Sequence, residues 1–157
     1  MKKRINYKKL AASIALPLLV GAVSAWISKD GMKTFQTMAQ PPLSPPSSAF
    51  PIVWTILYIM MGTASYIVAQ SGSDDTDNAL TLYAVQLGLN FFWSLFFFKF
   101  GMYLFAFFWL AALWIFIFLT AHAFGRINKT ARNLLIPYLV WVGFAGYLNL
   151  GVYLLNR

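Results

Sequence analysis

The 157-residue chain carries 12 Lys and Arg against 4 Asp and Glu, with 60% of its residues apolar and 10% charged. Soluble domains give about a quarter of their residues to charge, so this composition is that of an integral membrane protein. With no Cys and 1 His there can be no disulfide, thiolate-held metal or His-built cluster, and the +8 net charge, gathered beside apolar runs, reads as membrane topology rather than nucleic-acid binding.

Charges at 2–9, 29–33, 74–77, 99, 126–132 and 157 leave uncharged runs at 10–28, 34–73, 78–98, 100–125 and 133–156. About 20 apolar residues at 1.5 Å each cross the hydrocarbon, so each run can supply a span. The first, Leu10–Ser28, has Pro17 mid-helix, where neighbours can re-satisfy the freed carbonyl and a kink is expected rather than a break. Its basic start and "AVSAW" also fit a leader cleaved after Ala25, although the run is long for that pattern.

The double-length run cannot all be helix, because Pro41, Pro42, Pro45 and Pro46 lack the N–H and clash with the preceding turn. Residues 29–50 are therefore a loop, and "QPPLSPPSSAF" reads as a stiff lid or as a spacer that turns the chain. Pro51 suits the first turn of a second span over 51–70. "SGSDDTDN" is a polar turn with Asp77 or Asn78 as the expected N-cap, followed by a third span over 79–98. "KFG" reverses the chain into a fourth span over 103–124, and a fifth runs over 134–155 with Pro137 early in it. The expected architecture is all-α: one domain, 1–157, a bundle of five transmembrane helices whose short later connections make consecutive helices antiparallel neighbours.

With five spans, Lys2, Lys3, Arg4, Lys8, Lys9, Arg126, Lys129 and Arg132 share one side, and only Lys29, Lys33, Lys99 and Arg157 lie on the other. The positive-inside rule then puts the N-terminus in the cytoplasm. No Asp, Glu, Lys or Arg lies inside a span, so ion-coupled transport has no evident machinery.

What the spans offer is amides and aromatic rings. Gln86, Asn90, Trp93 and Phe97 fall on one face of the third span, Trp54, Tyr58, Met61 and Ser65 on one face of the second, and Trp141, Ala145, Leu148 and Asn149, with Phe144 beside them, on one face of the fifth. Singly, such residues glue helices together or fill space. Three such lines together outline an apolar cavity with a few polar groups, suited to a flat hydrophobic ligand. Ala84 and Gly88 form a small-xxx-small step on the third span and make it the expected homodimer face.

"FPIVWTILYIMMGTASY" (50–66), "QLGLNFFWSLFFF" (86–98) and "ARNLLIPYLVWVGFAGYLNL" (131–150) resemble the translocator protein family, also called tryptophan-rich sensory proteins or peripheral benzodiazepine receptors. Trp54, Leu57, Tyr58, Met61, Gly62 and Ala64 meet its W-x-x-L-Y-x-x-M-G-x-A pattern; Pro137, Tyr138, Leu139, Trp141, Phe144, Ala145, Leu148 and Asn149 meet P-Y-L-x-W-x-x-F-A-x-x-L-N. The resemblance implies a five-helix bundle, usually dimeric, with a pocket beneath the first loop. Such proteins bind porphyrins, including protoporphyrin IX and haem, isoquinoline and benzodiazepine drugs and, in animals, cholesterol. Carried over by motif, the pocket is Trp54, Asn90, Trp93, Trp141, Phe144, Ala145 and Leu148, to which the helical faces add Tyr58 and Gln86. Trp54 and Trp141 correspond to the tryptophans linked to light-dependent porphyrin breakdown in some bacterial members, and they are the catalytic candidates if that chemistry occurs here.

The family's first loop typically reads W-Y-x-x-L-x-K-P-x-W-x-P-P. Here Thr34, Phe35, Met38, Gln40 and Leu43 stand at the W, Y, L, K and W positions; the Pro-Pro pair remains while the loop's aromatic and basic groups do not, which puts in question its contacts to a porphyrin carboxylate. Leu150, Tyr153 and Arg157 trace the family's weak sterol pattern and read first as an interfacial anchor. The expectation is a bacterial cell-membrane protein without a resident cofactor, binding porphyrins or similar flat molecules as sensor, scavenger or carrier. The alternatives are a light-dependent protoporphyrin-degrading enzyme and a structural membrane subunit whose aromatic faces only pack.

Overall fold

The computed structural model describes residues 4–157, so Lys2 and Lys3 of the basic flank lie outside the described residues. Helix α1 covers Tyr7–Ile27, α2 Lys29–Gln36, α3 Ala49–Ala69, α4 Thr76–Ser94, α5 Tyr103–Ile127 and α6 Lys129–Asn156; α4 runs on into a π-helical turn at Leu95–Lys99. All but α2 are long and apolar enough to cross a membrane, which makes this an integral, multi-pass membrane protein.

The long helices close into a ring: α1 packs on α3, α3 on α6, α6 on α5, α5 on α4, and α4 returns to α1. Helix α1 is the loosest member, burying only Pro17 and Ser24, and its apolar residues go all round the helix, as suits a span that meets lipid on most sides. Inside the ring, Met61, Leu110, Leu113, Ile117, Phe124, Leu135 and Tyr138 form a closed core at one end of the bundle. At the other end the aromatic lines of α3, α4 and α6 stand apart enough to leave a cavity.

The helix ends differ from the sequence boundaries for local reasons. The carbonyl oxygen of the Asn6 side chain accepts from the Lys9 N–H at 3.1 Å, and that of Asn128 from Ala131 N–H at 3.1 Å, so α1 and α6 start in the aqueous flanks, before their apolar runs. Before α4 the N-cap position is Asp75, not Asp77 or Asn78, and its side chain makes no capping bond. Serines organise that turn instead: Ser71 Oγ accepts from Ser73 N–H and Ser73 Oγ from Asp75 N–H, each at 3.2 Å. Helices α1 and α6 continue through Pro17 and Pro137.

Residues 29–50 are not a simple loop. Lys29–Gln36 fold as α2, with Asp30 in the first turn and Lys33 in the last, each favourably placed on the helix dipole. Thr37 ends it, donating its hydroxyl to the Thr34 carbonyl at 2.7 Å. The Pro-rich stretch that follows is an irregular strap, with Leu43 at φ 69°.

Candidate functional site

The cavity has a volume of about 580 Å³, within the range of small-molecule pockets. Its wall is built from α1 (Leu18, Gly21, Ser24), α3 (Trp54, Tyr58), α4 (Asn90, Trp93, Ser94) and α6 (Trp141, Ala145, Leu148, Asn149). The π-helical turn supplies Phe97 and Phe98 together: the Phe100 N–H reaches back to the Leu95 carbonyl at 2.9 Å, and the widened turn carries two successive rings into the wall. The roof is α2, through Met32, Phe35 and Gln36. No charged side chain among the described residues lines it.

Phe35 corrects the expectation that the loop had lost its aromatic group. Its ring meets Phe50, Phe97 and Phe98 edge-on at 6.3, 5.6 and 5.5 Å, so a phenyl at the family's tyrosine position closes the roof. The prolines are not the cover. Pro41 is buried with its ring against Gly151, where an added Cβ would come within 2.6 Å, so only glycine lets the strap lie so close to α6. On either side of that contact the Tyr147 hydroxyl donates to the Pro42 carbonyl at 2.7 Å, and the Asn156 amide exchanges two bonds with the Ala39 backbone at 3.1 and 2.9 Å. The strap is clamped to α6, and α2 hangs from it over the cavity.

Trp54 stacks on Tyr58 at 5.5 Å and lies 6.3 Å from Trp93 and 6.2 Å from Tyr138, and Trp141 meets Phe50 at 5.9 Å. Of the residues singled out in the sequence, Trp54, Tyr58, Asn90, Trp93, Trp141, Ala145 and Leu148 line this single space. Gln86 and Phe144 do not. Gln86 is buried one turn deeper, accepting from the Tyr138 hydroxyl at 2.8 Å, and Phe144 packs against Trp141 and Tyr147, outside the lining. The α1 and α2 contributors, Phe50 and Phe98 carry no distinguishing signal in a chain so rich in apolar residues.

The polar groups are sorted by whether the protein already satisfies them. Trp93 Nε1–H donates to Asn149 Oδ1 at 3.0 Å, and Asn149 Nδ2 donates to the Tyr103 carbonyl at 2.8 Å. Tyr58 donates to Asn90 Oδ1 at 3.0 Å, and Asn90 Nδ2 donates to the Tyr138 hydroxyl at 2.6 Å. The buried indole N–H of Trp141 has no partner within the protein. An unpaired buried donor is costly; this one belongs to a ring that lines the cavity, while the nitrogen itself is covered by protein atoms. The described residues hold no group of His, Cys, Asp or Glu able to bind a metal, and the cavity lining has no carboxylate, thiol or imidazole, its side-chain hydroxyls being those of Ser24, Ser47, Ser94, Thr55 and Tyr58.

This geometry has relatives. Residues 13–155 match the TspO/MBR family. The chain is 44% identical to Tryptophan-rich protein TspO of Chlorobaculum tepidum, over 94% of this chain and 95% of the relative. It is 35% identical to Tryptophan-rich protein TspO of Archaeoglobus fulgidus, over 97% and 99% of the two chains, and 33% identical to Translocator protein of Bos taurus, over 85% and 82%. With a match that takes in α2 to α5 whole and all but the outer ends of α1 and α6, the chain belongs to the TspO/MBR family.

Proposed function

We propose that this protein binds porphyrins, such as protoporphyrin IX or haem, and similar flat hydrophobic molecules inside the membrane, serving as sensor, scavenger or carrier. The observation that carries the reading is an uncharged cavity lined by the rings of Trp54, Tyr58, Trp93, Phe97 and Trp141. Stacked and edge-on indoles and phenyls offer π faces to a planar ligand, and the unpaired Trp141 N–H gains a bond if the ligand's carbonyl or carboxylate displaces the atoms that cover it. The basic residues around α1 and α6 support a cytoplasmic N-terminus, which puts the α2 roof on the opposite side.

Titration of the purified protein with protoporphyrin IX is the test. Saturable quenching of tryptophan fluorescence, reduced in Trp54→Phe and Trp141→Phe, is expected. Unchanged affinity in both variants would remove the assignment of this cavity.

A second reading is light-dependent oxidation of bound protoporphyrin. It is favoured by Trp54 and Trp141 sharing one cavity whose lining has no carboxylate, thiol or imidazole, which leaves the indoles, with the phenols of Tyr58 and Tyr138 beside them, as the redox-capable groups in place. The homodimer is likewise a proposal, supported by Ala84 and Gly88 lying exposed in an apolar groove between α1 and α4, where a Cβ on Gly88 would meet nothing within 4 Å.

A further inference from the structure

The hydrogen bonds behind the cavity form an unbroken chain. Tyr58 donates to Asn90, Asn90 to Tyr138, and Tyr138 to Gln86, over 3.0, 2.6 and 2.8 Å. Its outer end, Tyr58 and Asn90, lies in the cavity wall, while Tyr138 and Gln86 are buried beyond it at 1% exposure each. At the inner end the Gln86 Nε2 amino group has no partner.

Every link is a hydroxyl or a primary amide. A hydroxyl can rotate its hydrogen, and an amide can exchange oxygen and nitrogen by turning over, with no change in the heavy-atom separations. The chain therefore satisfies its three links equally well in two directions. In the direction observed, the Tyr58 hydrogen is committed to Asn90 and its oxygen is left to the cavity as an acceptor. In the reverse direction Gln86 donates to Tyr138, Tyr138 to Asn90 and Asn90 to Tyr58, so Tyr58 turns its hydrogen toward the cavity as a donor. Reversal gives one Gln86 N–H the Tyr138 oxygen as partner and takes that partner from the Gln86 carbonyl oxygen, so the inner end keeps one bond in either direction and the ligand, three links away, decides between them.

We propose that Tyr58, Asn90, Tyr138 and Gln86 are a reversible hydrogen-bond relay, through which Gln86 and Tyr138, as positioning residues outside the cavity, decide whether the site accepts a ligand by its carbonyl oxygen or by its N–H. The relay rests on the reading of the cavity as a ligand site and adds which ligand polarity it takes.

Three flat tricyclic probes of nearly one shape test it: fluorene with no polar group, fluorenone with a carbonyl, and carbazole with an N–H. Wild type holds both fluorenone and carbazole about fivefold more tightly than fluorene, the worth of one neutral hydrogen bond. Gln86→Leu removes the inner acceptor, so the Tyr138 hydroxyl turns to Asn90 and the relay locks with Tyr58 as donor. Carbazole then falls to the level of fluorene while fluorenone keeps its advantage, and the ratio of their dissociation constants shifts about fivefold. Gln86→Met gives the same shift if the leucine variant folds poorly. In a Tyr58→Phe background the Gln86 substitutions leave the ratio unchanged, which a general loosening of the core would not do. If protoporphyrin and fluorene bind and the ratio stays constant on Gln86 substitution, the relay is overturned and the binding function stands; if neither fluorene nor protoporphyrin binds, both fall.

Discussion

Trp93 and Asn149 are joined by a hydrogen bond of 3.0 Å from the indole N–H to the amide oxygen, and the same amide donates to the Tyr103 carbonyl at 2.8 Å. One buried side chain thus ties α4 to α6 and to the first residue of α5. Asn149→Leu keeps the volume and leaves the indole N–H and a carbonyl unpaired. A loss of roughly 1–2 kcal/mol of stability is expected, near the upper end for membrane hydrogen bonds. A lower melting temperature in detergent checks it; an unchanged one would show that the pair contributes nothing.

Trp93 and Trp141 both line the cavity, but the protein satisfies one indole and leaves the other unpaired. Substitution to Phe should therefore separate them. Trp93→Phe strands Asn149 and lowers the melting temperature. Trp141→Phe removes an unpaired donor, so stability holds or rises slightly while porphyrin affinity drops by about 1 kcal/mol. Equal effects of the two on both readouts would refute the distinction.

The strap that carries the roof is bonded to α6 at Tyr147 and Asn156, so these clamps are expected to hold it more than proline stiffness does. Loss of the Asn156 and Tyr147 bonds to the strap, in Asn156→Ala with Tyr147→Phe, should speed porphyrin release severalfold in stopped-flow experiments. Replacing Pro45 and Pro46 by Gly should do less, since neither lines the cavity. Gly31→Ala should act like the clamp variants, because its Cβ would run into the backbone carbonyl of Phe98 and push α2 off the π-helical turn. A larger effect of the prolines than of the clamps would restore the stiff-lid view.

Assembly through α4 predicts that Ala84→Phe with Gly88→Leu yields monomers in mild detergent. Both residues face outward in the structure, so the substitutions should leave the fold and the melting temperature of each subunit largely intact. Dimers that persist would place the interface elsewhere.

Light provides the test of chemistry. Under aerobic illumination protoporphyrin should lose its Soret band faster with wild type than with Trp54→Phe or Trp141→Phe, and dark samples should be stable. Bleaching at the rate seen in empty detergent would leave a binding protein alone.

Several features were legible in the chain without coordinates, because they depend on single residues meeting a solvent. Charges and clustered prolines cannot enter the hydrocarbon, so the five spans and the break before Pro51 follow from position alone. Period 3.6 likewise assigns Trp54 and Tyr58, Asn90 and Trp93, and Trp141, Ala145 and Leu148 to shared faces, and those residues meet in one cavity. Depth, closure and pairing were left to the tertiary structure. Gln86 shares a face with Asn90 but sits four residues lower, about 6 Å along the axis, where Tyr138 of α6 fills the space and donates to its oxygen. Helix α2 is eight residues long and contains Gly31 and Thr34, too short and too weak in propensity to announce itself; it is held by Phe35 against Phe97 and Phe98 and by the close approach of Gly31 to the π-helical turn. Which indole stays unpaired, Trp93 or Trp141, depends on whether an amide from another helix arrives within 3 Å, a distance that only the packed bundle sets.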